Sequence, residues 1–125
     1  MRYLGIDYGS KRIGIAVSDE GGIIAFPRAA VKTADDVVKT IGLEKIGKVI
    51  VGLPMGAGGQ ETAQTKIVRA FAAALGKAVS LPIEFENEVL TTKIAERHSP
   101  RKAVDASAAA LILQSYLDKH VKRVK

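Results

Sequence analysis

Asp7 stands between a short apolar run and a glycine, in Tyr3-Leu4-Gly5-Ile6-Asp7-Tyr8-Gly9-Ser10-Lys11. A carboxylate at the end of a buried strand, with a tight turn behind it, is held rigidly near solvent and suits a metal ligand. Asp105 opens an alanine-rich segment and shares a helix face with Ala108, Ala109 and Ile112. The helix dipole favours an acid there on its own account. Its apolar neighbours, however, set it on or beside the packed side, where a carboxylate needs donors or a cation. A third group of acids lies in Glu84-Phe85-Glu86-Asn87-Glu88. With Ile83 and Phe85 turned inward, Glu84 and Glu86 share the opposite face. Glu88 falls just past the strand end, where α/β sheets hold their sites. Spacing does not choose among the three glutamates; position favours Glu88.

Asp7, Glu88 and Asp105 can thus meet at one end of a sheet as catalytic groups and metal ligands. Gathered carboxylates raise one another's pKa unless a cation relieves them. Oxygen-only ligation suits Mg2+ or Mn2+. Two such ions, about 4 Å apart, would activate a water and stabilise the leaving 3′ oxygen of a phosphodiester.

The elements that must position these groups follow from pattern. Residues 3–7 and 12–18 read as two strands joined by a short turn, and Asp19-Glu20-Gly21-Gly22 is a second turn. Ile23 to about Val31 is a third strand, put near an edge or a bulge by Pro27. Ala34–Glu44 is a helix capped by Thr33, with Val37, Val38 and Ile41 at helical spacing. Lys48–Leu53 is a continuously apolar strand, suited to cover on both faces. Glu61–Leu75 is a helix stopped by Gly76, and Leu81–Phe85 is a fifth strand. A short helix from Thr91 or Thr92 through Glu96 precedes a last helix from Ala103 to about Lys119, with Val104, Ala108, Leu111, Ile112 and Ser115 along one side.

The order β-β-β-α-β-α-β-α-α gives an α/β fold: a mixed five-stranded sheet with helices on both faces. Strand alternation sets Leu4 and Ile6 on one face of the first strand, and Gly5 and Asp7 on the other. The second strand sets Gly14 and Ala16 beside them. Asp7 therefore shares a face of very small residues, which an alanine-rich helix can approach closely.

A chain of 125 residues makes one domain, 1–125, with residues 118–125 as a basic, partly mobile tail. There are no cysteines, which excludes disulfides, thiolate chemistry and sulfur-ligated zinc. No apolar run is long enough for a membrane span and no leader pattern opens the chain, so the cytoplasm is the expected location. The formal charge of +6, from 19 Lys and Arg against 13 Asp and Glu, favours a polyanionic partner.

Gly5-Ile6-Asp7-Tyr8-Gly9-Ser10-Lys11-Arg12-Ile13-Gly14-Ile15-Ala16-Val17-Ser18-Asp19 resembles the opening motif of the YqgF/RuvX family. Val51-Gly52-Leu53-Pro54 resembles its second motif. Leu90-Thr91-Thr92 with Ala95-Glu96 resembles the third, and Val104-Asp105-Ala106-Ser107-Ala108-Ala109 with Ile112-Leu113-Gln114-Ser115-Tyr116-Leu117 the fourth. These are Holliday-junction-resolvase-like proteins, also described as pre-16S rRNA nucleases. The resemblance implies a ribonuclease-H-like fold and metal-dependent cleavage, with Asp7, Glu88 and Asp105 in the catalytic positions. It implies maturation of the 5′ end of 16S rRNA, or resolution of branched DNA, and contact with pre-ribosomal particles. The third motif reads Asn87-Glu88-Val89 where the family usually has Asp-Glu-Arg.

Lys11 and Arg12 follow Asp7 closely and suit phosphate contacts, as do Arg97, Arg101 and Lys102 before the last helix. Met55-Gly56-Ala57-Gly58-Gly59-Gln60 either offers backbone N–H groups to phosphate or is a mobile connection. Tyr8 offers a ring for base stacking, and His98 and His120 read as surface groups. Two other functions remain open at this level. A nucleic-acid-binding or assembly factor with a weakened site fits Asn87 and Val89. An ATP-binding actin-like phosphotransferase shares the Asp-glycine-hairpin pattern but needs two such domains. Structured RNA or branched DNA is the expected partner, and monomer or homodimer the expected state.

Overall fold

The computed structural model describes residues 1–87 and 104–120, with side chains from Ala108 onward in the second stretch. Its elements are β1 (Arg2–Tyr8), β2 (Ile13–Ser18), β3 (Ala25–Val31), α1 (Ala34–Leu43), β4 (Ile46–Leu53), α2 (Ala63–Val79), β5 (Ile83–Asn87) and α3 (Val104–His120). The five strands form one sheet in the order β3-β2-β1-β4-β5. The first three make an antiparallel meander, and β4 and β5 join it in parallel. The mixed sheet of the sequence reading is therefore observed. The short helix expected at Thr91 to Glu96 lies outside the described residues.

One face of the sheet is apolar in the ordinary way. Leu4, Ile6, Ile15, Val49 and Val51 are fully buried there, under Val37 and Ile41 of α1 and Val68, Ala72 and Leu75 of α2. The other face is small. Gly5 pairs with Ala16, and Asp7 with Gly14, so the register aligns the side-chain-poor positions of β1 and β2. α3 packs on that face through Ala109, Ile112, Leu113, Tyr116 and Leu117. The approach is close enough that a Cβ on Gly5 would lie 2.6 Å from Leu113 Cβ and 2.8 Å from the Ala109 carbonyl.

Pro27 sits on the edge strand β3, at a register shift between Ile15 and Ala16 of β2, so it is both at an edge and at a bulge. α1 starts with a capping box, in which Thr33 and Asp36 exchange backbone hydrogen bonds.

Two element boundaries and one buried stripe differ from the sequence reading. Gly76 does not stop α2, which runs one turn further and ends at the left-handed Ser80 (φ 53°). The extra turn brings the half-buried Val79 onto the core. Gly76 faces β5, where a Cβ would come into contact with Ile83 Cδ1 at 3.4 Å. β5 is also shifted two residues later than expected. Pro82 has no N–H to give, and only its carbonyl takes part, accepting from Val49 N–H at 3.0 Å. The buried stripe of α3 is Ala108, Ala109, Ile112, Leu113, Tyr116 and Leu117, whereas Leu111 and Ser115 are only half-buried.

Gly5→Ala should cost about 2 kcal/mol of stability, because the added methyl meets backbone and a fixed Cβ. Gly42→Ala, where nothing lies within 4 Å, should instead gain about 0.5 kcal/mol. Urea unfolding of both variants measures the contrast; equal effects would contradict this packing.

Candidate active site

Asp7 is the seventh residue of the chain and the sixth of β1, half-buried on the small face opposite Gly14. Directly behind it the chain turns. Gly9 N–H donates to the Arg12 carbonyl at 2.9 Å. A Cβ at Gly9 would lie 2.7 Å from that carbonyl oxygen, so the turn needs a glycine. Ser10, Lys11 and Arg12 are exposed on it, and the four turn residues line a shallow depression of about 260 Å³. Lys11 and Arg12 are thus carried past the sheet end on the same turn that fixes Asp7.

Tyr8 points the other way. Its ring lies against Phe71 of α2 with centroids 4.3 Å apart, and it packs on the core. The expectation that it presents a ring for base stacking is corrected: alternation puts it on the α1–α2 face, and burial there engages it.

The direction of α3 follows from two contacts. Tyr116 meets Tyr3 near the start of β1, with centroids 6.2 Å apart, and Ala109 with Leu113 meets Gly5 in its middle. The N-terminus of α3 therefore points toward the Asp7 end of β1. Asp105 precedes Ala109 by four helical residues, about 6 Å. Asp7 follows Gly5 by two strand residues, about 6.6 Å. Both residues thus lie on the same side of the Gly5 contact, toward the C-terminal end of β1. The Asp105 side chain lies outside the described residues, as do Glu88, Arg97, Arg101 and Lys102. Glu88 is bonded to Asn87, the last residue of β5, which pairs with Leu53 at the end of β4. Among the described residues, no three His, Cys, Asp or Glu side chains gather to hold an ion.

Glu84 and Glu86 share one face of β5, as expected, but that face is covered by α3 and neither is a plain surface acid. Glu86 is only 6% exposed. It accepts from Ser115 Oγ at 2.6 Å and from Lys119 Nζ at 2.8 Å. Glu84 is paired with Lys48 of β4 and accepts from Tyr116 Oη at 2.6 Å. The Lys48 ammonium holds the Glu84 carboxyl below the usual range, and Glu84 in turn raises Lys48. Burial first, and then the carboxylate, push the Tyr116 phenol up. The sequence reading missed this polar seam; alternation on β5 read together with the stripe Ser115-Tyr116-Lys119 was the available signal. His120 stacks on Tyr116 at 4.3 Å and extends α3 into what reads as tail; residues 121–125 lie outside the described residues.

The glycine loop after β4 closes on itself. Gly56 N–H donates to the Gln60 carbonyl at 2.7 Å, Gly58 N–H to Gln60 Oε1 at 2.8 Å, and Gly59 N–H to the Gly56 carbonyl at 2.9 Å. Three donors that a phosphate would need are already engaged. Thr62 caps α2 through a reciprocal exchange with Thr65, whose hydroxyl also donates to the Pro54 carbonyl.

A five-stranded mixed sheet with this order is the ribonuclease-H-like fold. RuvC of Thermus thermophilus shares it, with a TM-score of 0.64 and 16% identity over 98% of each chain, in a structure with a Holliday junction substrate. A second structure of that protein gives a TM-score of 0.59, covering 95% of this chain and 96% of the other. Within this fold class, the chain belongs to the RuvX family, whose model, described as Holliday junction resolvase, matches residues 1–119. A relative from Maridesulfovibrio salexigens is 36% identical over 94% of this chain and 98% of its own. One from Syntrophus aciditrophicus is 41% identical over 94% and 89%. Both carry the name "Putative pre-16S rRNA nuclease".

The Lys48–Glu84 pair predicts a pH dependence. Glu84 has a lowered pKa in the folded state, so its contribution is present above the unfolded carboxyl value and is lost as pH falls through the folded one. Glu84→Gln should therefore cost about 0.5–1 kcal/mol at pH 7, a small value because the pair is partly solvated. The difference from the unmodified protein should vanish in strong acid. Urea unfolding of both proteins over a series of falling pH values checks this; a difference that does not shrink as pH falls would contradict the assignment.

Proposed function

We propose that this protein is a divalent-metal-dependent nuclease that hydrolyses phosphodiester bonds in precursor 16S rRNA, at the 5′ end. The observation that supports this reading is the packing of α3 on Gly5, with the N-terminus of the helix, where Asp105 stands, directed toward the Asp7 end of β1. The name that the relatives carry supports RNA over branched DNA, whereas the family's description as Holliday junction resolvase keeps branched DNA as the alternative substrate.

The donor chemistry fits a hard cation. Asp7, Glu88 and Asp105 are oxygen donors, and the chain has no cysteine to draw a softer metal. The face beside Asp7 carries Gly5, Gly14 and Ala16, whose small size lets α3 approach the strand that bears Asp7. Asp7 would hold Mg2+ or Mn2+ from β1, Glu88 from the chain leaving β5, and Asp105 from the first turn of α3. The bound cation supplies an activated water and charge neutralisation at the scissile phosphate. The protein's part is orientation: β1 and the Gly9–Arg12 turn hold Asp7 fixed, and Lys11 and Arg12 hold the backbone of the substrate. Arg97, Arg101 and Lys102 would extend that grip.

The test is cleavage of a precursor rRNA carrying its 5′ leader. Cleavage should require Mg2+ or Mn2+, and Asp7→Asn should reduce it roughly a thousandfold, about 4 kcal/mol. Full activity in Asp7→Asn would refute the assigned site, and tight RNA binding without cleavage under either metal would favour a binding or assembly role. Separately, Lys11→Gln and Arg12→Gln should each weaken RNA binding and lower the dependence of log K on log salt by about 1. An unchanged salt slope would remove both from the RNA-contacting surface.

A further inference from the structure

Glu86 is a buried carboxylate with no place in the chemistry above. Both of its hydrogen bonds fall on one oxygen, Oε2, and both come from α3, through Ser115 and Lys119. Among the described residues, the strand that bears it is an edge strand, held by backbone pairing to β4 on one side only. Glu86 is the penultimate residue of β5, two residues before Glu88. Ser115 lies on the helix that begins beside Asp105. The cluster therefore ties the end of one ligand-bearing segment to the body of the other.

A carboxylate is a costly way merely to fasten a helix. Apolar packing through Ile112, Leu113 and Leu117 already does that, and well-packed apolar residues commonly match a buried ion pair in stability. What the carboxylate adds is fixed geometry, two short bonds at defined angles.

We propose that Glu86, held by Ser115 and Lys119, is a positioning residue that sets the distance between the end of β5 and α3, and so the spacing of the metal-binding carboxylates. This rests on the nuclease reading. The Glu84–Lys48–Tyr116 cluster provides an internal comparison. It ties the same strand to the same helix, but through the residue two positions further from Glu88, and it includes β4.

The experiment is Mn2+ binding to the full chain by titration calorimetry, without RNA, alongside urea unfolding of the metal-free protein. Glu86→Gln should raise the Kd for Mn2+ about tenfold, as loss of outer-sphere partners of metal sites does. Lys119→Gln should do the same to a lesser degree, and because Lys119 is 60% exposed this variant folds even if the first does not. Glu84→Gln should lower stability and leave the Kd for Mn2+ unchanged. A merely structural role would instead shift Mn2+ affinity in step with stability across all three variants. That result, or unaltered affinity in both Glu86→Gln and Lys119→Gln, would overturn the inference while leaving the nuclease reading intact. Absence of Mn2+ binding by the unmodified protein would overturn both.

Discussion

The contact between α3 and Gly5 is the constraint on which the rest of this structure depends. A side chain at position 5 would collide with Leu113 Cβ and the Ala109 carbonyl. Because glycine stands there, with Ala16 beside it in β2, the helix sits almost on the backbone of the central strand. Two consequences follow from the one contact. The helix buries Ile112, Leu113 and Leu117 against Ile50 and Ala16, which closes the second face of the sheet. Its N-terminus is also directed toward the Asp7 end of β1. Stability of the layer and geometry of the site are thus set together.

The charges are distributed by the same arrangement. Acids near the end of the sheet fall into two classes. Glu84 and Glu86 are neutralised by lysines, Lys48 and Lys119, and by hydroxyls of α3. They hold the helix against the edge strand. Asp7 differs in its place, on a turn-backed strand end with the exposed side chains of Lys11 and Arg12 close behind it. The glycine loop after β4, closed by its own hydrogen bonds, takes no comparable part.

Much of this was legible in the sequence because it depends on local rules. Alternation placed Gly5, Asp7, Gly14 and Ala16 on one face, and the alanine content of the last helix marked its partner. The edge position of Pro27 and the double-sided burial of β4 followed from the same logic. What was not legible depended on partners distant in sequence. Gly76 reads as a stop signal, yet the core gained by Val79 carries α2 past it, and Ser80 takes the left-handed position instead. Glu86 reads like its neighbours until Ser115 and Lys119, roughly thirty residues later, are known to cover it. Tyr8 looked available for a base until Phe71 was found against it. Of the candidate site, the placement of Asp7 on the small face was legible, because two adjacent strands set it. Glu88 and the Asp105 carboxylate lie outside the described residues.

The account stands on one claim, that Asp7 shares a metal with the chain leaving β5 and the first turn of α3. A crystal of the protein soaked in Mn2+ tests it most directly, through anomalous scattering. The account predicts density within about 2.2 Å of an Asp7 carboxylate oxygen, completed by oxygens of Glu88 and Asp105. Manganese bound elsewhere with Asp7 uninvolved, or an Asp105 carboxylate turned away from Asp7 in the occupied site, would contradict it.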